Sequence, residues 1–159
     1  MLRHLVHTNL PEVVFLSETK LSVEEIKRKL VFFKNWSICG VDVRGRSGGL
    51  LLAWTKEVKL SILQTSEYGI HTTIENSDDT NCFYTFVYGG PDHRRRQIFL
   101  NDLTQLVVSI NGPWACIGDW NFITSNKDKK GGNPIEYYRL MHLKSVIDQC
   151  GLRDLGYKG

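Results

Sequence analysis

The sequence ACIGDWNFI, residues 115–123, places an acidic and an amide side chain directly after an apolar run. The run has the composition of a buried strand, and Gly118 leads from it into Asp119 and Asn121. In folds that alternate helices and strands, ligands bind where strands end. Asp and Asn also form turns by hydrogen bonding to their own backbone. Both a turn and a functional site therefore fit this stretch on its own.

Length, composition and charge predict one compact globular domain over residues 1–159. The chain is 42% hydrophobic and 23% charged, which suits a packed core and argues against disorder. No apolar stretch is long enough for a bilayer and no secretory signal opens the chain, so an intracellular protein is expected. The four scattered cysteines argue against a zinc site or a disulfide framework. A net charge of +3 is compatible with nucleic acid without establishing it.

The pattern of apolar residues near the amino terminus predicts a helix followed by a strand. Leu2, Leu5 and Val6 recur at helical spacing until Pro11 ends the pattern, and the run EVVFLS then predicts a buried strand. Ser22 and Glu25 next form the capping-box pattern of a helix start, so that carboxylate is explained as a cap and dipole partner. The helix carries apolar residues at Ile26, Leu30 and Phe33.

The middle of the chain predicts a largely antiparallel sheet. Its strand candidates are WSICGVDV, GGLLLAW, VKLSILQ, GIHTTIE and CFYTFVY, separated by Gly, Ser, Asn and Asp. A helix over about residues 95–110 leads to the strand WACIGD, and a helix over about residues 135–149 ends before Gly151, a natural C-cap. The sequence LRDL would then begin another strand.

Carboxylates follow two of the predicted strands. Glu18 and Lys20 come just past the end of EVVFLS, as Asp119 comes past WACIG. If the two strands are neighbours in a sheet, Glu18 and Asp119 converge at one edge and repel unless they share a proton or a cation. Mg²⁺ suits such a pair because it binds one or two carboxylates together with substrate phosphates. The alternative is a solvated strand end in which Glu18 is ion-paired with Lys20.

Two basic segments accompany these carboxylates. Arginines at the start of a helix oppose its dipole, so they are easier to explain if they face an external anion such as phosphate. A solvated basic turn is the alternative. The first segment holds Arg94, Arg95 and Arg96, and the second holds Lys127, Lys129 and Lys130. Basic loops beside a carboxylate pair predict phosphodiester chemistry with a divalent metal.

Five motifs occur in an order and spacing similar to those of one known family: FLSETKL, GRSGGLLLAW, VYGGPDHRRRQIF, PWACIGDWNFI and CGLRDLGYKG. The chain resembles the endonuclease/exonuclease/phosphatase family, and within it the endonuclease domain of plant non-long-terminal-repeat (LINE-type) retrotransposons. The resemblance covers essentially the whole chain. It implies an α/β (α+β) fold, the DNase I-like four-layer α/β/β/α sandwich in which helices flank two β-sheets. It also implies Mg²⁺ or Mn²⁺ as cofactor, the DNA phosphate backbone as partner and a nuclear location.

The resemblance also implies roles for individual residues. Glu18 would be the metal ligand and Tyr88 would hold a phosphate oxygen. Asp119 would align or deprotonate the attacking water, and Asn121 would donate to the phosphoryl oxygen as charge develops. The two-residue step would put Asp119 and Asn121 on one side of an extended backbone, with Trp120 packed the other way. The implied nucleic-acid contacts are Lys20, Arg94, Arg95, Arg96, Lys127, Lys129 and Lys130.

Two elements of the family pattern do not occur in the printed sequence. These are the first strand, which bears a metal-site Asn, and the last strand, which bears an Asp-His pair. Weak or lost hydrolysis is therefore expected of these residues alone, and His93 is the only histidine near the predicted site. His4 and His7 are expected to lie on the surface rather than to bind zinc. Two alternatives stay open: a non-catalytic relic with residual nucleic-acid binding, and a phosphatase of small phosphoesters or phosphoinositides.

Overall fold

The computed structural model describes residues 1–43, 45, 48–90, 92–122 and 137–156. The chain divides into two compact units, of which the first comprises Met1–Tyr88 with Gly112–Asp119 and the second comprises Gly89–Asn111 with Trp120–Gly159. A single domain over the whole chain stays a prediction. Among the described residues, every helix is too short or too polar to traverse a lipid bilayer.

The first unit contains two helices and seven strands within the described residues. The helices are α1 (Leu2–Asn9) and α2 (Val23–Lys29). The strands are β1 (Val13–Ser17), β2 (Ser37–Val41), β3 (Leu50–Trp54), β4 (Leu60–Ser66), β5 (Gly69–Glu75), β6 (Asn81–Tyr88) and β7 (Trp114–Asp119). Each predicted strand up to residue 119 is confirmed.

The strands form two sheets, as the motif resemblance implied. One sheet has the order β1-β3-β2 and the other has the order β4-β5-β6-β7. All neighbouring strands are antiparallel except β6 and β7, which are parallel. The predominance of antiparallel pairing is thus confirmed, although sequence order alone does not reveal which strands pair.

The two sheets pack face to face through large apolar side chains. Leu50 and Leu52 of β3 contact Ile70 of β5 and Phe86 of β6 in one buried cluster, which Tyr88 completes. Alternate residues of a strand point to opposite faces, so Leu50 and Leu52 share the face that meets the other sheet. The interior between the sheets therefore ends at Tyr88, the last residue of β6.

The opposite face of the three-stranded sheet is covered by helical residues. Leu51 and Ala53 of β3 pack with Ile26 of α2 and with Phe33. Since β3 is buried on both faces, its sequence is a continuous apolar run rather than an alternating one. This burial agrees with the position of β3 between β1 and β2 in its sheet.

The helix ends of the first unit follow local side-chain chemistry. The predicted capping box is confirmed, because the Ser22 hydroxyl accepts from the backbone N–H of Glu25 and the Glu25 carboxylate accepts from the backbone N–H of Ser22. Helix α2 stops at Lys29, however, and Phe33 lies in a separate 3-10 turn, Val31–Phe33. Leu30 breaks the helix with φ −100° and ψ 57°.

The second unit contains α3 (His93–Leu106), a 3-10 turn (Val107–Ser109) and α4 (Tyr137–Gln149). Helix α3 contacts α4 within this unit. Gly151 follows α4 with φ 65°, and its N–H donates to the Asp148 carbonyl at 3.1 Å, so the predicted glycine C-cap is confirmed. No strand forms among residues 152–156, so the strand predicted for LRDL is wrong within the described part of the chain.

A buried chain of polar side chains lies on the four-stranded sheet. Trp114 Nε1–H donates to the hydroxyl of Thr85 at 2.8 Å, and that hydroxyl is 2.9 Å from Nδ1 of His71. The His71 ring stacks near Phe83, with centroids 6.1 Å apart, and its Nε2 atom has no hydrogen-bond partner within the described part of the chain. Burial lowers the pKa of His71 because the charged imidazolium loses its hydration.

The buried imidazole predicts that acid destabilises the fold. Because the pKa of His71 is lowered from its ordinary value of 6.5, the unfolded chain binds more protons just below that pH. Stability therefore falls as the pH drops through this window and is restored as the pH rises. We expect the thermal unfolding midpoint to decline less steeply in His71→Gln than in the unsubstituted chain between about pH 6.5 and pH 5. Parallel curves for the two proteins would contradict this expectation.

Candidate active site

Glu18 lies on a tight turn directly after β1. It has φ 52° and Lys20 has φ 53°, both in the left-handed region that costs side-chain-bearing residues energy. The turn is held by backbone hydrogen bonds from Thr19 N–H to the Gly49 carbonyl, at 3.2 Å, and from Lys20 N–H to the Gly48 carbonyl, at 3.1 Å. This backbone pairing fixes the direction in which Glu18 leaves the strand.

The side chain of Glu18 is engaged by Tyr88 across the two sheets. The phenol of Tyr88 donates to Glu18 Oε1 at 2.5 Å, although the residues are separated by 70 positions. Tyr88 is 4% exposed, whereas Glu18 is exposed. Glu18 and Lys20 form no ion pair, so the alternative of a Glu18–Lys20 pair is wrong within the described residues.

Asp119 ends β7 directly beside Tyr88. The two residues are register partners in the parallel pair β6–β7, so their side chains point to the same face of the sheet. Glu18 and Asp119 do not lie on neighbouring strands of one sheet, because β1 and β7 belong to different sheets. Glu18 nevertheless reaches Tyr88 from the other sheet through their hydrogen bond, and Asp119 is the register partner of Tyr88. The structure thus brings together three of the predicted site residues.

Gly118 is the residue that lets β7 reach this position. Its φ is 141°, and a Cβ atom there would overlap the carbonyl oxygen of Val87. The close approach expected from the sequence is confirmed for Gly118. Gly151 also has a positive φ, of 65°, but a Cβ there would meet nothing within 4 Å.

These two glycines define a matched pair of substitutions. Gly118→Ala is expected to lower the free energy of unfolding clearly more than Gly151→Ala, whose cost is limited to about 1–2 kcal/mol of left-handed strain. Urea denaturation followed by circular dichroism measures both values. Equal losses of unfolding free energy in the two variants would show that the added Cβ at position 118 is accommodated against the Val87 carbonyl without cost.

Asn121 belongs to the second unit, and its geometry differs from the expected one. Its φ of 50° is left-handed, so the backbone from Asp119 to Asn121 is not extended and the expected alternation along a strand is wrong. The side-chain amide of Asn121 donates to the Gly89 carbonyl. Trp120 packs edge-on against Phe99, with ring centroids 5.3 Å apart, which confirms its predicted role in packing.

The three arginines at the start of α3 have different surroundings. Asp92 caps the helix by accepting from Arg95 N–H at 2.9 Å, and its carboxylate also lies 3.3 Å from Arg95 Nε. The guanidinium of Arg96 lies over the Phe122 ring, 5.7 Å from the centroid. Arg94 is exposed and makes no hydrogen bond or ion pair among the described residues. The predicted contacts Lys127, Lys129 and Lys130 lie outside the described residues.

Solved structures with a similar fold include an endonuclease domain, a 3′ phosphatase and an AP endonuclease. The endonuclease domain of TRAS1, a telomere-specific non-LTR retrotransposon, matches with a TM-score of 0.72 and 12% identity over 99% of this chain and 66% of that chain. The 3′ phosphatase NExo from Neisseria, bound to a product DNA hairpin, matches with a TM-score of 0.69 and 13% identity over 93% and 64%. An AP endonuclease from Archaeoglobus fulgidus has a TM-score of 0.62 and 15% identity over 91% and 63%.

The fold is that of the DNase I-like nucleases. The α/β sandwich implied by the sequence motifs, with two sheets and flanking helices, is thereby confirmed. The chain spans 63% to 66% of the length of these structures. No protein-family model matches the chain, and no curated protein matches it either.

The carboxylates of this DNase I-like sheet end suit a hard divalent cation. Mg²⁺ takes oxygen ligands, keeps several waters and is held by one or two carboxylates together with substrate phosphates. Glu18 and Asp119 provide that donor set. No group of three or more His, Cys, Asp or Glu side chains is arranged as a metal site in the part of the chain that the structure describes, which includes His4 and His7. Two carboxylates are within the number of protein ligands that Mg²⁺ takes.

Sequence reasoning identified the carboxylates and missed the contacts that hold them. The hydrogen bond from Tyr88 to Glu18 left no sequence signal, because the two residues are far apart in the chain. The need for Gly89 was also missed, since a Cβ there would overlap the backbone carbonyl of Trp120. The Gly-Gly pair before Pro91 was the available signal for that close approach.

His93 begins α3, and its Nε2 atom has no hydrogen-bond partner among the described residues.

Proposed function

We propose that this protein hydrolyses DNA phosphodiesters with Mg²⁺ or Mn²⁺, as the endonuclease of a LINE-type retrotransposon. The observation that carries the proposal is the placement of two carboxylates around Tyr88: Glu18 accepts its phenolic hydrogen bond, and Asp119 is its register partner. Two carboxylates at strand ends in a DNase I-like fold favour hydrolysis over a purely structural role. The position of the chain in a retrotransposon and a nuclear location rest on the resemblance of its motifs.

Each residue has a distinct task in this proposal. Glu18 would hold the cation, which supplies charge neutralisation and a bound water of lowered pKa. Asp119 would orient the attacking water and accept its proton, since its exposed carboxylate stands at the end of β7. Asn121 would donate to the phosphoryl oxygen as negative charge develops there. The left-handed backbone at Glu18 and Asn121 supports these assignments, because strained conformations are concentrated at functional sites.

The proposed substrate is DNA rather than a small phosphoester because the chain offers cations beyond the carboxylate site. Lys20 is exposed two residues after Glu18, and Arg94 is exposed at the start of α3. A polymer with repeated phosphates can engage several such cations together, whereas a small phosphoester cannot. The lysines at 127, 129 and 130 would add further cations.

Plasmid nicking tests the proposed function. We expect the purified chain to convert supercoiled plasmid to open circles in Mg²⁺ and not in EDTA, and to leave a small phosphate monoester intact. Release of phosphate from the monoester without nicking would favour the phosphatase. DNA binding without metal-dependent nicking would favour the non-catalytic nucleic-acid binder.

Arg94 is expected to contribute to DNA binding through phosphate contact. A single lost contact with duplex DNA reduces the slope of log affinity against log salt by about 0.9. We therefore expect Arg94→Ala to weaken binding and to flatten the salt dependence by about that amount in a filter-binding assay. Arg3→Ala, which removes an exposed arginine from α1, is the control for loss of net charge. Equal slopes for the two variants would remove Arg94 from the binding surface.

A further inference from the structure

The Tyr88 phenol donates a hydrogen bond to a carboxylate of the protein. A tyrosine hydroxyl has one O–H to donate. In this structure it is donated to Glu18 Oε1, at 2.5 Å. The phenol is therefore placed to act on the carboxylate.

The two side chains of this hydrogen bond differ greatly in freedom. The Tyr88 ring is packed in the core between the sheets, in one cluster with Leu50, Leu52 and Ile70. Glu18 is exposed, and no other hydrogen bond or ion pair to its carboxylate exists among the described residues. An exposed glutamate otherwise samples many rotamers, and holding it in one of them costs entropy. The fixed phenol thus selects the orientation of the mobile carboxylate.

We propose that Tyr88 is a positioning residue for Glu18, which orients the carboxylate for a divalent cation. The inference rests on the proposed function and differs from the role that the motif resemblance implies for Tyr88. One carboxylate oxygen of Glu18 accepts the hydrogen bond from the phenol, and the other oxygen is left for the cation. Partners that orient a metal ligand typically change metal affinity about 10- to 100-fold when they are removed.

Binding of Mn²⁺ alone tests the inference without any measurement of cleavage. Mn²⁺ affinity is measured by electron paramagnetic resonance of the free ion in the full chain. The proteins are the unsubstituted chain, Tyr88→Phe, Glu18→Asp and the double variant. We expect Tyr88→Phe to weaken Mn²⁺ binding about 10-fold and to have no further effect in the Glu18→Asp background. Glu18→Asp keeps the carboxylate but shortens the side chain by one methylene, so the reach to the phenol is lost.

Tyr88→Phe keeps the buried ring and is expected to fold, as thermal melting will verify. If Tyr88→Phe does not fold, Glu18→Asp still tests the inference, because Glu18 is exposed and its substitution should not affect folding. An unchanged Mn²⁺ affinity in Glu18→Asp would overturn the inference. An equal effect of Tyr88→Phe in both backgrounds would also overturn it, since the phenol would then act independently of Glu18. Glu18→Gln separates the two proposals. If Glu18→Gln weakens Mn²⁺ binding and Tyr88→Phe does not, only the positioning role of Tyr88 is contradicted. If neither variant weakens Mn²⁺ binding, the metal site of the proposed function is contradicted as well.

Discussion

Replacing Asp119 by asparagine is expected to slow Mg²⁺-dependent nicking of supercoiled plasmid by about 10²- to 10⁴-fold. The substitution preserves the size of the side chain and removes its ability to accept a proton at neutral pH. Asp119 is exposed at the end of β7, so the fold should tolerate the change. The initial rate at which supercoiled plasmid becomes open circles measures the effect, and unchanged circular dichroism establishes that the variant is folded.

Asp148→Asn is the matched control for this substitution. Asp148 is also an exposed aspartate, but it lies in α4 of the second unit. We expect it to nick plasmid at the rate of the unsubstituted chain. Equal nicking rates for Asp119→Asn and Asp148→Asn would mean that the nicking comes from another part of the chain or from a contaminating nuclease.

Leu52→Ala is expected to lower the free energy of unfolding by about 2–5 kcal/mol. Leu52 is 0% exposed and lies in the cluster that joins the two sheets. Removing its branched end leaves a cavity that the flanking strands can close only partly. In a protein of this length each kcal/mol lowers the melting temperature by about 2–4 °C. Urea denaturation followed by circular dichroism measures the loss.

The control for the core substitution is Leu63→Ala on β4. Leu63 is 51% exposed and stands at the bulge between Ile62 and Gln64, where the register of β4 against β5 shifts. A substitution at such a surface position changes stability by about 0.5 kcal/mol or less. A loss at Leu52 no larger than that at Leu63 would mean that the sheets do not pack through β3.

The features that could be predicted from the sequence are those set by neighbours in the chain. Ser22 and Glu25 satisfy each other's backbone donors within one helical turn, so their capping box was visible in the letters alone. The strand Trp114–Asp119 was predicted with its observed bounds, because an apolar run ends at a glycine and an aspartate. Local composition was sufficient in both cases.

The features that could not be predicted depend on residues far apart in the chain. The partition of the strands into two sheets depends on β1 pairing with β3, beyond the intervening β2. The contact of Tyr88 with Glu18 depends in turn on the packing of those sheets. Left-handed backbone at Glu18 carries no sequence sign, and at Asn121 the sign is weak, because asparagine tolerates this conformation without requiring it. The position of Asp119 on a strand was therefore predictable, and its neighbours in space were not.

The parallel pairing of β6 with β7 has a consequence for how the protein is made. The chain leaves the first unit after Tyr88 and re-enters it at Gly112, having passed through α3. At ribosomal speeds, the interval between the synthesis of Tyr88 and of Asp119 is roughly 2–6 s. An interval of the same length separates the emergence of the two residues from the ribosome. Until β7 has emerged, β6 lacks its neighbour and presents unpaired backbone groups beside apolar residues such as Phe86 and Val87, which favours pairing with another nascent chain. Translation on closely spaced ribosomes should therefore favour aggregation at this edge before β7 has emerged.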